Sequence, residues 1–212
     1  MSRKSHWESI YATNATPVLS WYQPHPRRSL HLIARTHLPK NAKILDVGGG
    51  DSLLVDDLVA RGYTDLTVLD LSKAALDRAR GRLEAAATGR VTWWEGDILE
   101  ENLPREEFDI WHDRAVFHFL TTQEDRDSYI ASVQRAVRPG GNVIVATFAE
   151  DGPTRCSGLP VERYSAVELH GTFGSAFRLL GSEREVHHTP SGVEQTFTYC
   201  WCRYEPVSVG AR

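Results

Sequence analysis

Three consecutive glycines, Gly48, Gly49 and Gly50, follow the apolar run "KILDV" and precede "SLLVDDLVARG". Bare backbone at the end of a strand lets a ligand approach closely. The helix that follows offers unpaired N–H groups at the positive end of its dipole. Asp46 stands two residues before the first glycine, and Asp70 follows the last by 20 residues, closing the run "DLTVLD". An acid at that second place is positioned to accept hydrogen bonds from both hydroxyls of a ribose. The pattern points to an adenosine-type ligand, but it suits a dinucleotide poorly. Leu53 occupies the third position of G-x-G-x-x-G and is too bulky for close helix–strand packing. Asp46 would also repel a pyrophosphate; it favours a ligand that carries positive charge.

The elements that position these residues follow from alternation of short apolar runs with helical patterns, the signature of a parallel sheet with crossover helices. "KILDVGG", "DLTVLDLS", "VTWWEGDIL" and "FDIWHDRAVFHFL" read as four successive strands, the last turning into a helix. The segments "SLLVDDLVARG", "KAALDRARGRLEAAA" and "TQEDRDSYIASVQRAVRPGG" read as helices, the last ending at its Pro-Gly-Gly turn. "NVIVATF" is a fifth, strongly apolar strand. The segments "FRLLGSEREVHHT" and "VEQTFTYCWCRYE" flank "PSG" and predict an antiparallel hairpin at the sheet edge. Ahead of the first strand lie an aromatic-rich arm, "HWESIYATNATPVLSWYQPHP", and a helix, "RRSLHLIARTHL". The expectation is one domain overall, with residues 1–40 as an aromatic lid arm plus helix and residues 41–212 as the cofactor-binding part.

From residue 43 to 204 the chain resembles the class I S-adenosylmethionine-dependent methyltransferases. "LDVGGGDS" is similar to their D-x-G-x-G motif, with Asp46, Gly48 and Gly50 in register and Ser52 where a further glycine is common. Asp70 in "VLDLS" resembles the ribose-binding acid, with Leu71 beside the adenine; in "EGDI", Asp97 and Ile98 match the acid and the apolar residue that meet the adenine ring. "FDIWHDRAVFHFL" resembles the fourth-strand motif and "VRPGGNVIV" the turn into the fifth. The resemblance implies a Rossmann-like, doubly wound α/β sheet of seven strands, mostly parallel, with an antiparallel C-terminal strand. It implies S-adenosyl-L-methionine as cofactor, S-adenosyl-L-homocysteine as product, and in-line transfer of a methyl group to a nitrogen, oxygen or sulfur atom. Among His112, Asp113, Arg114 and His118, it places Asp113 beside the methionine part or cationic sulfur of the cofactor and His118 in the acceptor pocket, where it is a candidate base. The arm resembles a lid that folds over the cofactor, and Trp21 is expected at that contact. Aromatic faces attract a sulfonium and exclude water.

Bulk properties narrow the partners. The chain has 212 residues, a formal charge of −4 and no strongly basic stretch, which disfavours nucleic acid. No apolar run of membrane-spanning length is present, and no signal-peptide pattern opens the chain. Cys156, Cys200 and Cys202 form no disulfide framework or zinc spacing, so a reducing, cytoplasmic setting and no metal are expected. Cys156 lies in the Gly/Pro-rich loop after the fifth strand, a segment expected to help build the acceptor pocket. His187 and His188 are neighbours on a strand, point to opposite faces and make no natural ligand pair. The expected partner is a small-molecule acceptor, with a protein lysine as the alternative. A non-catalytic cofactor-binding module and an NAD-dependent oxidoreductase are the remaining readings. Oligomeric state is not legible.

Overall fold

The computed structural model describes residues 2–83 and 89–206. A seven-stranded sheet forms its centre: β1 (Lys43–Val47), β2 (Asp65–Asp70), β3 (Val91–Glu95), β4 (Phe108–Arg114), β5 (Val137–Phe148), β6 (Phe177–His188) and β7 (Glu194–Tyr204). The strand order is β3-β2-β1-β4-β5-β7-β6. Strands β1 to β5 are parallel, whereas β7 runs antiparallel to both β5 and β6. The strand order therefore reverses between β1 and β4, and a crevice opens there at the carboxyl ends of the strands.

Helices α1 (Arg3–Thr13), α2 (Arg27–Arg35), α3 (Leu54–Ala60), α4 (Lys73–Leu83), α5 (Gln123–Ala136) and α6 (Ala166–Phe173) complete the fold. Short 3-10 turns occupy Thr16–Val18 and Phe117–Phe119. Strand periodicity sends alternate side chains to opposite faces. One face of the sheet packs Ile44, Val68, Ile110, Ile144 and Tyr199 against α2 and α3; the other packs Leu45, Val47, Trp111, Val143 and Val145 against Tyr129 and Val133 of α5. With both faces covered, the central strands have to be almost continuously apolar, as they are.

Two boundaries differ from expectation. Helix α5, capped by the Thr122 hydroxyl, which accepts the Asp125 N–H at 3.1 Å, stops at Ala136 rather than at the Pro-Gly-Gly segment. Residues Val137–Gly141 already belong to β5, where the pairing with β4 slips between Phe108 and Ile110. Pro139 cannot donate to a ladder and Gly140 sits at φ 82°, so this segment forms an irregular strand entry. The arm holds the C-terminal part of α1 and the 3-10 turn Thr16–Val18. The last residues expected in the α4 helix, 84–87, lie outside the described residues.

Candidate active site

The glycine turn is built for close approach. Gly48 takes φ 64° and a Cβ there would collide with the Val116 side chain. Gly50 takes φ 48°, and a Cβ would stand 2.7 Å from the Tyr11 hydroxyl and 2.9 Å from Asp70 Oδ2. Both positions demand glycine for conformation and for space. Gly49 packs over the Asp46 carboxylate in the same way. Asp70, at the end of β2, accepts the Ser72 N–H at 2.8 Å, and burial raises its pKa to about 7.

A partly open cleft of about 830 Å³ lies over these strand ends. Gly48, Asp70, Leu71, Asp97 and Ile98 line one side of it; Trp7, Tyr11 and Trp21 of the arm roof it, and Arg114, Phe119 and Cys156 close the far end. A second cavity, on the α2 and α3 side, is lined by Asp46, Gly48, Gly49, Asp51, Ser52, Ser29, His112 and Tyr22. Trp21, Gly48 and Arg114 border both, so the two spaces meet at these residues.

The arm is fastened along the whole edge. Arg3 reaches Asp97 and Asp125, Lys4 pairs with Glu95, and Arg78 donates to the carbonyls of Tyr11 and Asn14. The Glu8 carboxylate accepts the N–H groups of Lys73 at 2.6 Å and Ala74 at 3.4 Å, capping α4 from outside its own segment. Thr16 bonds Asp51, a buried acid that Arg82 and Arg78 also pair with. Farther along, His187 meets the Ser20 carbonyl at 2.7 Å, Gln23 donates to Glu185 and Arg28 pairs with Glu183, all on β6.

Strand parity decides which fourth-strand residues reach the cleft. Asp46 pairs in register with His112, and His112 and Arg114 share its face. His112 Nδ1 donates to Asp46 Oδ1 at 2.7 Å, and Nε2 meets Ser29 Oγ at 2.8 Å. These are the connections of a nucleophilic triad. Ser29, however, is fully buried on α2, so no reactive hydroxyl is presented and the chain is a structural tie. Asp46 thus arrives at the second cavity already partnered.

Asp113 points to the other face. Its oxygens accept the N–H groups of Val116 at 2.9 Å and Phe117 at 3.0 Å and the Tyr129 hydroxyl, which fixes the exit from β4. Burial raises its pKa to about 6 despite those bonds. It borders neither cavity, so the structure does not bring it to the cofactor position expected for it. His118 is likewise fully buried: its Nδ1 accepts the Phe148 N–H at 3.3 Å, Nε2 has no partner among the described residues, and the ring packs on Phe119 and Phe148. Burial and the Arg114 charge lower its pKa to about 3. A neutral, enclosed imidazole outside both cavities is not placed to take a proton from an acceptor.

The cysteines divide. Cys156 lines the cleft, its thiol pKa raised by burial, whereas Cys200 and Cys202 face the core beside α6. His187 is buried against the arm and His188 is exposed beside Glu194. No group of three or more metal-ligating side chains occurs among the described residues. Among the described residues, no helix is long and apolar enough to cross a membrane.

A doubly wound sheet of this order, with a glycine turn after β1 and an acid ending β2, defines the methyltransferase class of Rossmann-like folds. Residues 44–141 match the family model described as a methyltransferase domain. "EEF1A lysine methyltransferase 2" of Danio rerio is 28% identical over 56% of this chain and 55% of its own length. A "2-heptyl-1-hydroxyquinolin-4(1H)-one methyltransferase" of Mycobacteroides abscessus is 31% identical over 63% of this chain and 57% of its own. The chain therefore spans little more than half the length of these curated relatives. A solved 1,6-didemethyltoxoflavin-N1-methyltransferase of Burkholderia thailandensis, containing S-adenosylhomocysteine, superposes with TM-score 0.72 at 18% identity over 96% of this chain and 87% of that one. Residues 44–141 thus match a methyltransferase domain, and the fold is one shared with a solved methyltransferase.

Proposed function

We propose that the protein moves a methyl group from S-adenosyl-L-methionine to a nitrogen, oxygen or sulfur atom of a small molecule. The observation that carries this reading is the roofed cleft of about 830 Å³ between the glycine turn and the arm. Asp70, beside the Gly50 cradle, is placed for the ribose hydroxyls; Leu71 and Ile98 would sandwich the adenine, with Asp97 near its amino group. Gly48, Gly49 and Asp46 border the second cavity, where the amino-acid end of the donor fits. The bound donor supplies an electrophilic methyl carbon. The chain's own work is to hold the two reactants in line and keep water out, and alignment alone can lower a barrier by about 7–11 kcal/mol. Trp7, Trp21 and Phe119 exclude water at the far end of the cleft and offer ring faces to a sulfonium.

Roofing by the arm supports a small acceptor, since Trp7, Tyr11 and Trp21 cover the cleft over the strand ends. The lysine methyltransferase named above supports a protein acceptor as the second reading. Calorimetry with S-adenosylmethionine, S-adenosylhomocysteine and NAD tests the donor. Transfer of labelled methyl to a panel of thiols, amines, phenols, carboxylates and extract proteins tests the acceptor. Tight S-adenosylhomocysteine binding without NAD binding is the expected result. Binding of neither S-adenosyl compound would sink the proposal.

A further inference from the structure

We propose that the acceptor atom is already anionic when it enters, as a thiolate, carboxylate or acidic enol or hydroxyl, and that Arg114 is the residue that selects it. This rests on the donor reading above and names the acceptor class for the same site. Arg114 stands where the two cavities meet, its side chain 10% exposed. Its guanidinium lies 4.2 Å from the Phe197 ring centre. Nε donates to the Tyr199 hydroxyl at 3.1 Å and Nη1 to the Trp21 carbonyl at 3.2 Å, while Nη2 has no hydrogen-bond partner among the described residues. Nη2 pairs with the Glu185 carboxylate at 3.7 Å, too long for a hydrogen bond, and that carboxylate also accepts the Tyr199 hydroxyl at 3.0 Å. A guanidinium this enclosed normally sits in a bidentate pair. Here the one ion pair is long, and the oriented side chain borders both cavities.

The same end of the cleft offers no base among the described residues. Its wall is Trp7, Trp21, Val116, Phe119, Cys156 and Arg114. Burial keeps the Cys156 thiol protonated, and Asp113 and His118 are enclosed elsewhere. Asp70 ends β2 and Asp97 follows β3 by two residues; these strands lie two and three places from β4, so roughly 10 and 14 Å from it at ordinary strand spacing. An acceptor that needed deprotonation would find no group to take the proton. An anionic acceptor needs none: its lone pair bonds the methyl carbon while the carbon–sulfur pair stays on sulfur. Anion and sulfonium become two neutral products with no proton released.

The test loads the protein with S-adenosylhomocysteine and titrates benzoate and thiophenolate against benzamide, benzyl alcohol and benzylamine. At least one anion should bind tenfold or more tightly than the neutral and cationic probes. Arg114→Gln, titrated with the site saturated in S-adenosylhomocysteine, should erase that gap, while Arg114→Lys keeps part of it. With labelled donor and a pH indicator, methylated anion should form without proton release. No anion preference in the wild-type protein overturns the inference, and that measurement needs no variant. An anion gap that survives in Arg114→Gln overturns it too. Failure of S-adenosylhomocysteine to bind the wild type removes the donor reading itself.

Discussion

Asp70 shows how burial turns a binding residue into a pH-dependent one. Its carboxyl titrates near pH 7, raised chiefly by desolvation, against 3.8 in the unfolded chain. In the free protein this favours the protonated form, so the associated stability is present below 3.8 and lost as pH rises through 7. Ribose binding works oppositely, because the ionised form is the better acceptor. S-adenosylhomocysteine affinity should therefore climb from pH 5.5 to 7.5 and level off, and Asp70→Asn should flatten that profile in calorimetry. His118 has the other sign. Its folded value near 3 lies below the ordinary 6.5, so its contribution is present above 6.5 and fades as pH falls toward 3. His118→Gln, whose carbonyl can still accept from Phe148, should lose ground to wild type at pH 7 and regain it at pH 5 in urea melts. The pH profile of turnover should not move; a shift would restore His118 as a base.

At the level of elements, the exit of β4 and the arm carry the separate burdens of fold and binding. Asp113 holds three donors where the strand breaks into the 3-10 turn, so Asp113→Ala leaves the buried Phe117 N–H and Tyr129 hydroxyl, and the half-buried Val116 N–H, without their acceptor. Each such orphan costs about 1–3 kcal/mol, and a drop of roughly 2–4 kcal/mol in unfolding free energy is expected, with the folded fraction still binding S-adenosylhomocysteine within a few-fold of wild type. The arm should behave conversely. Deleting residues 2–22 removes the roof and should weaken S-adenosylhomocysteine at least a hundredfold while far-ultraviolet circular dichroism keeps the sheet signal. Glu8→Ala, which uncaps α4, should loosen the arm by about 1 kcal/mol, read as faster hydrogen exchange in residues 3–13.

Across the whole molecule, the strands of the sheet were legible because their signals are local. Apolar periodicity marks the strands, and the antiparallel hairpin around "PSG" is marked by its turn. The glycine turn was legible for the same reason. Asp113 and His118 were not, because their roles depend on which side of β4 each side chain leaves. Parity relative to β1 is set by the Asp46–His112 register, which no single segment encodes. The arm's anchors escaped for a related reason: Glu8 and α4, or Thr16 and Asp51, are separated by 65 and 35 residues. Pairs so distant leave no periodicity to read. Composition did mark the arm, since Trp7, Tyr11 and Trp21 are too many rings to leave in water.

That arm is tied down twice, its first stretch to the β2–β3 half and α4, its second to β6. A strap buckled at both ends has two doors. Raising the β6 end would let a methylated product leave while the nucleoside stays under the other end, so donor and acceptor need not depart by one route or in one motion.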